Sequence, residues 1–379
     1  MLTLSEKLSW AEQQPWATAM KNCAQEPEWH GEGNVWTHTK MVCEALEPML
    51  DKLPEEESQA LQWAAVLHDV GKPHVRTVED GRIRTRNHSA VGHLIARHIL
   101  LLLEVDFHIR ENACALIRWH GYPLNVHRQE DPGYYVIGTS CLCKNSLLHK
   151  LTVADNKGRI VSSHLREESE TVIELWEEQC HRFNCYYHPY TGFINEEARF
   201  QFYQTKCFRP YYVPYIKDMF VVHMTCGLPG VGKSRYVMQE LSNLPVICLD
   251  DIREEMGIKP ATSSDGKVTQ EAKKRCRGFL AKKQGFVFDA TNLIQDVRRK
   301  WIMIFHGYRA MTHIHFIDAP FSAILAQNSE RKEDSFFECN GRKRMSKHVP
   351  EHVIEHMAKR MFMPTLAECH KLSLRQNVG

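Results

Sequence analysis

The chain has 379 residues, a length that suits two domains, and 43% of them are hydrophobic, so cores of ordinary size are expected and bulk disorder is excluded. Its 48 basic and 46 acidic residues leave a formal charge of +2, which argues neither for nor against nucleic acid and leaves that question to local patches. The 13 cysteines are odd in number and irregularly spaced, and read as reduced thiols of a cytoplasmic protein; the longest apolar run, 99–103, is too short to cross a membrane. Residues 1–28 read as a helix and a polar turn, with Leu4, Leu8, Trp10 and Trp16 on a loose apolar face that belongs to a core. After His30-Gly31-Glu32-Gly33-Asn34 a helix is expected from about Val35, carrying His38, Val42, Leu46 and Leu50. A second spans 60–69 and is stopped by Gly71-Lys72-Pro73. A polar hairpin-like piece covers 75–84, and helical signals recur at 88–103, 111–120 and 146–158, so the first half is expected to be almost all helix.

Within that half, His68 and Asp69 stand together among small apolar neighbours. A buried carboxylate needs a counter-charge, and a divalent metal supplies one. Imidazole and carboxylate are the expected ligands of Mn²⁺, Fe²⁺, Co²⁺ or Zn²⁺. A lone pair of this kind is as easily a hydrogen-bonded helix end, so the surroundings decide. They supply His38 on the preceding helix, His88, His120, and Asp155 at the end of another apolar run. The order His38, His68-Asp69, His88, His120, Asp155 resembles the HD phosphohydrolase superfamily over roughly residues 25–165. The resemblance implies an all-α domain in which His38, His68, Asp69 and Asp155 hold one metal. It further implies that His88 and His120 hold a second, with Asp69 bridging, and that ions such as Mn²⁺, Ni²⁺, Co²⁺ or Zn²⁺ serve. A metal-activated water would then attack phosphorus, with Lys72 on a non-bridging phosphate oxygen. Arg118 and Arg159 read equally as phosphate contacts or surface charge, and Ser162 and Ser163 follow close enough to face a substrate.

Residues 166–217 change in texture. An acidic helix face, 167–178, gives way to a crowd of aromatics that includes Phe183, Tyr186, Tyr187, Phe193, Phe200, Phe202, Phe208, Tyr211 and Tyr215. They read as cement between two domains more readily than as base-stacking platforms, with a joint near Pro210 and Pro214.

From 218 to 379, apolar β-branched segments at 219–224, 244–249, 286–289 and 311–317 alternate with helical stretches, the pattern of a parallel sheet covered on both faces. The first strand runs into Gly227-Leu228-Pro229-Gly230-Val231-Gly232-Lys233-Ser234, a complete G-x-x-x-x-G-K-S in strand-to-helix context. Glycine-rich backbone N–H groups cradle phosphates, Lys233 reaches the β- and γ-phosphates, and Ser234 sits on Mg²⁺. Beyond the later strands come Asp250-Asp251-Ile252-Arg253, then Asp289 with Thr291 and Asn292, then Asn328-Ser329-Glu330-Arg331, and a basic segment, Gly341-Arg342-Lys343-Arg344, placed where a lid could close. Each piece alone reads as a polar strand end, an Asx cap or a solvated charge run. Together, over about 218–370, they resemble the 5′-hydroxyl polynucleotide kinase family. The resemblance implies that Asp250 is the general base, that Arg253 holds the acceptor's 3′-phosphate, and that Arg331 engages the donor β- and γ-phosphates. Asp289, Thr291 and Asn292 fall at the substrate side. The chain departs from the family pattern at Gln327, where an arginine is common, and by having one residue between Asp251 and Arg253.

The two halves in this order resemble bacterial bifunctional enzymes that join an HD domain to a polynucleotide kinase domain. That resemblance implies NTP-dependent phosphorylation of 5′-OH ends and removal of 2′,3′-cyclic or 3′-phosphate ends of RNA or DNA, which readies both for a ligase. ATP or another NTP would be the donor. Three alternatives stay open: an HD nucleotidase fused to a nucleoside or other small-molecule kinase, a regulatory module that hydrolyses a signalling nucleotide, and a strand-binding protein without end chemistry.

Overall fold

A computed structural model describes residues 2–206, 209, 212–258, 265–331, 336–339, 342–345 and 348–377, with side chains throughout except in the last strand pair before 348. The chain divides into two compact units, Met1–Gly192 with Lys206–Pro210, and Phe193–Thr205 with Tyr211–Gly379.

The first unit is helical, and its helix starts are legible in short polar side chains. The Thr3 and Glu6 pair forms a capping box for Leu4–Glu12, Asn34 accepts from the Thr37 amide to start Val35–Leu46, and Asp106 starts Phe107–Trp119. Glu55–Leu67 is the central helix. Its acidic first turn suits the positive end of the helix dipole, and from Ser58 to Leu67 every residue is buried. It stops one residue before His68, so the His68-Asp69 pair lies in the turn after the helix rather than within it. The polar piece forms a two-stranded hairpin, Thr77–Glu79 against Arg82–Arg84, closed by Asp80 and Gly81 at φ 51° and 75°. Two consecutive positive φ values are the geometry that favours an Asp-Gly tip. Helices His88–Leu102, Asn145–Lys157 and Ser163–Arg182 complete the frame.

The second unit is a five-stranded parallel sheet in the order Val246–Cys248, Val287–Asp289, Phe220–Cys226, Ala310–Asp318, Lys371–Gln376. The strand Phe220–Cys226 is central, and its carboxyl end feeds the glycine loop. The edge strand Lys371–Gln376 was not anticipated; it is a half-exposed K-L-S-L-R-Q alternation with no apolar run to mark it. Helices Lys233–Glu240, Asp265–Ala281 and Gln295–Gly307 flank the sheet, the last packing Trp301 on Phe288 at a ring distance of 4.4 Å.

The stretch 166–217 is shared between the two units. Ser163–Arg182 and Tyr186, which stacks on His181, belong to the first. Glu196–Thr205 belongs to the second. Its buried Glu197 accepts from His306 at 2.9 Å and His370 at 2.7 Å, and its Phe200 stacks on His370. Tyr186 is thus buried in the first unit and Phe200 and Phe202 in the second, whereas Tyr187 and Tyr215 are exposed. Phe208, Pro210 and Tyr211 lie outside the described residues. So do Gly341 and the side chains of Arg342, Lys343 and Arg344, although Arg342–Met345 pairs as a strand with Phe336–Cys339. No helix among the described residues is long and apolar enough to cross a membrane, and no disulfide joins the described cysteines.

Candidate active sites

In the helical unit, five elements bring their polar residues to one buried point. His38 comes from Val35–Leu46, the His68-Asp69 pair from the turn after Glu55–Leu67, and His88 from the first turn of His88–Leu102. His120 caps Phe107–Trp119, and Asp155 lies in the last turn of Asn145–Lys157. Asp69 stands at the centre, 1% exposed. Its Oδ2 is 3.2 Å from His68 Nε2 and 3.9 Å from His38 Nε2, and His38 Nε2 is 3.0 Å from Asp155 Oδ1. Its Oδ1 faces the other way, 3.4 Å from His88 Nε2 and 3.8 Å from His120 Nε2. The ligand atoms therefore fall into two sets, His38-His68-Asp155 and Asp69-His88-His120, each within 4.8 Å of one another. Metal–nitrogen and metal–oxygen bonds of about 2.1 Å place neighbouring ligands on the order of 3 Å apart, so both sets have room for an ion.

The imidazole tautomers are set from behind. His68 Nδ1 meets Ala65 O at 2.8 Å, His88 Nδ1 meets Thr85 O at 2.9 Å, and His120 Nδ1 meets Ile117 O at 2.8 Å. His38 Nδ1 is 3.2 Å from Gly158 O and 3.0 Å from the Glu32 carboxylate. Each Nδ1 therefore has an acceptor behind it and each Nε2 points in, toward the Asp69 and Asp155 carboxylates or the neighbouring imidazole, the arrangement of metal-ligating histidines. His88 Nε2 and His120 Nε2 then face each other at 3.1 Å, two lone pairs that only a shared cation or proton makes favourable. His68 Nε2 and both Asp69 oxygens are buried without a hydrogen bond of good geometry, and Lys72 Nζ lies 2.6 Å from Asp69 Oδ2 as an ion pair. These observations fit divalent ions.

The charges agree. Burial would raise the Asp155 carboxyl, but Arg159, 2.7 Å away, and His38 outweigh it and hold it well below the usual range. Asp69 is held down in the same way, by His68 and Lys72 against its burial. Burial pushes His120 down to about 3, so its ring is neutral and free to ligate at neutral pH. A cleft of about 310 Å³ opens onto Asp69, Lys72, His88, His120, Asp155 and Arg159.

Three of these features escaped the sequence. Glu32, read only as part of a glycine-rich break, is buried and braces both His30, at 2.7 Å, and His38. Gln25 holds Lys72 at 2.6 Å. Arg159, left open between two readings, is the partner of Asp155. Arg118 lies over the Trp119 ring at 4.5 Å, and Ser162 caps the helix Ser163–Arg182. Glu32→Ala removes the carboxylate that, beside Gly158 O, braces His38 Nδ1. It is expected to weaken Mn²⁺ binding roughly 10- to 100-fold with little change in helix content; calorimetric titration beside circular dichroism checks this. Gly71 is the tightest point of the frame: a Cβ there would meet the His88 carbonyl and lie 2.6 Å from Gly92 N, neither of which can turn away. Gly71→Ala is therefore expected to push back the helix that carries His88, costing about 1–3 kcal/mol in denaturant unfolding and weakening Mn²⁺ binding. An unchanged midpoint would refute the close approach.

In the second unit, the glycine loop lies between the strand Phe220–Cys226 and the helix Lys233–Glu240. Gly227, Gly230 and Gly232 have φ of 153°, 89° and 93°, the conformations the loop requires, and a Cβ on Gly227 would lie 2.5 Å from Ile317 O. Val231, within the loop, is buried, and Ser234 follows Lys233 into the helix. Lys233 Nζ donates to the carbonyls of Gly227, 3.0 Å, and Leu228, 2.8 Å. Burial lowers its pKa against the pull of Asp289 and Asp250, with Arg331 opposing them, so these four charged groups share one electrostatic neighbourhood. Asp250 is open, its side chain 65% exposed, and its carboxylate accepts from Arg253 at 2.7 Å. Asp289 is buried at its strand end and accepts from Thr225 Oγ1 at 2.7 Å. Thr291 accepts the Gly227 N–H through its carbonyl, and Asn292, at φ 46°, gives its amide to Thr225 O at 2.8 Å. Both thus tie the loop to the neighbouring strand, with Asn292 buried.

Residues 35–171 match the HD domain family, and residues 222–364 match the AAA domain family. The chain joins an N-terminal HD-fold domain to a C-terminal AAA/P-loop NTPase-like domain. No curated protein matches it. Among solved structures, a candidate kinase from Chloroflexus aurantiacus is similar at 14% identity and a TM-score of 0.31, over 42% of this chain and 88% of that one. The HD domain carries the paired clusters around Asp69, and the NTPase domain carries the phosphate loop.

Proposed function

We propose that the protein heals strand ends: its NTPase domain transfers a phosphate from ATP or another NTP to a 5′-hydroxyl, and its HD domain hydrolyses 2′,3′-cyclic or terminal phosphate at the other side of a break. The observation that carries the reading is the division of Asp69, one oxygen toward each imidazole pair, in a chain that separately holds Lys233, Asp250 and Arg331 about a phosphate loop.

In the HD domain, His38, His68, Asp69 and Asp155 would hold one divalent ion, and Asp69, His88 and His120 a second. Such ions supply an acidified water and an electrophile for phosphate oxygens. Lys72 gives its charge to a non-bridging oxygen of the substrate, leaving Asp69 for the ions. Arg159 and Glu32 hold Asp155 and His38 in place.

In the NTPase domain, Asp250 takes the proton of the 5′-hydroxyl as its oxygen bonds to the γ-phosphorus and the β–γ bridging bond breaks toward the leaving diphosphate. Arg253 orients Asp250 and would hold the acceptor's 3′-phosphate. Lys233 and Arg331 neutralise the charge that develops on the transferring group, and Ser234 and Asp289 are the groups near which Mg²⁺ would sit.

The test is one strand bearing a 5′-hydroxyl and a 2′,3′-cyclic phosphate, incubated with Mn²⁺ or Ni²⁺, Mg²⁺ and ATP. Both ends are expected to change. Phosphorylation of free nucleosides with the strand left untouched would instead establish the nucleotidase and small-molecule kinase reading.

A further inference from the structure

Beside the metal-compatible cleft lies a second one of about 420 Å³, and the two share Trp29, His30, Lys72, Thr85, His88 and Arg159 along their common wall. The far wall of the second is the hairpin Thr77–Glu79/Arg82–Arg84 and the residues after it. Five of its lining side chains are cationic in character: Lys72, Arg82, Arg84, Arg86 and Arg159. One acid, Glu26, lines it, and that carboxylate is already committed to the Ile83 amide at 2.7 Å. The alternation of the strand Arg82–Arg84 puts Arg82 and Arg84 on the same face, with Ile83 turned the other way and half-buried. Arg82 is 3.7 Å from Glu28 and Arg86 is 3.2 Å from Glu79, with side chains 58% and 72% exposed. Ion pairs this open are worth little in water, so phosphate oxygens can replace them at small cost. Trp29 is half-buried and lines both clefts.

We propose that this arginine hairpin is a strand-binding groove, which seats the internal phosphates of a single-stranded polynucleotide while its last phosphate lies over Asp69. Trp29 would stack the penultimate base. The inference rests on the end-healing reading above and deepens it: the HD domain selects an end attached to a chain over a free nucleotide. Charge is the reason for the choice of partner. A row of arginines leading away from a phosphate-hydrolysing site matches a repeating polyanion, whereas a mononucleotide ends at the shared wall.

The full-length Arg82→Ala/Arg84→Ala/Arg86→Ala variant tests it. None of the three positions belongs to the metal cluster, and the strand residues Arg82 and Arg84 are solvent-exposed. Hydrolysis of a single strand with a 2′,3′-cyclic end is expected to show a KM at least 10-fold higher, with kcat near that of the wild type. Hydrolysis of a mononucleoside 2′,3′-cyclic phosphate is expected to stay within twofold. In fluorescence anisotropy with a labelled 3′-hydroxyl strand, which needs no turnover, the slope of log K against log salt should flatten by about 2, since three cations release about 0.7 counterion each. An unchanged strand affinity and slope overturns the groove. So does an equal loss on strand and mononucleotide, which marks a structural effect, or weakened nucleoside triphosphate binding with strand binding intact. If the slope flattens but wild-type protein processes no strand end, the groove stands and the end-healing reading falls. If ends are processed and the variant matches the wild type, the groove falls and the reading stands.

Discussion

Asp69→Ala is expected to abolish phosphoester hydrolysis, by roughly 10³-fold or more, while 5′-phosphorylation of a strand stays within about twofold. The size follows from its position. Asp69 turns one oxygen to each imidazole pair, so as the bridge proposed above its loss would cost both ions a ligand, and it strands Lys72, whose ammonium is 2.6 Å from the lost carboxylate. Removing one member of a buried ion pair also destabilises the fold by about 3–5 kcal/mol, so lost activity alone would be ambiguous. Two controls separate the causes. Asp69→Asn keeps the volume and one acceptor oxygen and should be equally inactive with a smaller drop in unfolding midpoint. Kinase turnover in the same preparation reports whether the rest of the chain is folded. Calorimetric titration should show Mn²⁺ binding lost at both sets. A variant that keeps one full binding event would mean that Asp69 serves one ion, with the other set independent.

The sequence carried this cluster in unusual detail because every ligand sits at or near the end of a helix with a strong apolar face. His68, His120 and Asp155 follow apolar helical runs and His38 opens one, and the order of these residues with His88 is what resembles the HD superfamily. The phosphate loop was legible for a similar reason: glycines at φ values closed to other residues leave a fixed spacing. What stayed hidden acts through contacts between segments far apart in the chain. Glu32 looks like part of a turn until His38 is seen behind it. Arg82, Arg84 and Arg86 look like an ordinary polar hairpin until the cleft they line is seen to join the cluster. Asn292 and Thr291, beside an acid at a strand end, read as substrate contacts. The Thr291 carbonyl and the Asn292 amide are also engaged with Gly227 and Thr225, which no local pattern announces. The edge strand Lys371–Gln376 was missed because an exposed edge needs no apolar run.

Lys233→Ala is expected to silence strand phosphorylation, by roughly 10³-fold or more, and to leave hydrolysis of cyclic ends within about twofold. Lys233 is the first residue of the helix that follows the phosphate loop, and burial makes its charge costly until an anion meets it. Its Nζ is held by two loop carbonyls, bonds that a phosphate can replace without moving the backbone. The alanine variant therefore loses the charge and keeps the loop, whose shape rests on Gly227, Gly230 and Gly232. Asp250→Asn supplies the complementary result. Its side chain is open and its neutral replacement still accepts from Arg253, so NTP binding should persist while kcat falls about 10²- to 10⁴-fold, as for the loss of a general base. Measuring both variants against NTP concentration separates them: Lys233→Ala should lose donor affinity and turnover together, and Asp250→Asn turnover alone. If Asp250→Asn phosphorylates strands at the wild-type rate, another group takes the 5′-hydroxyl proton, and the neighbouring Asp251 is the next to replace.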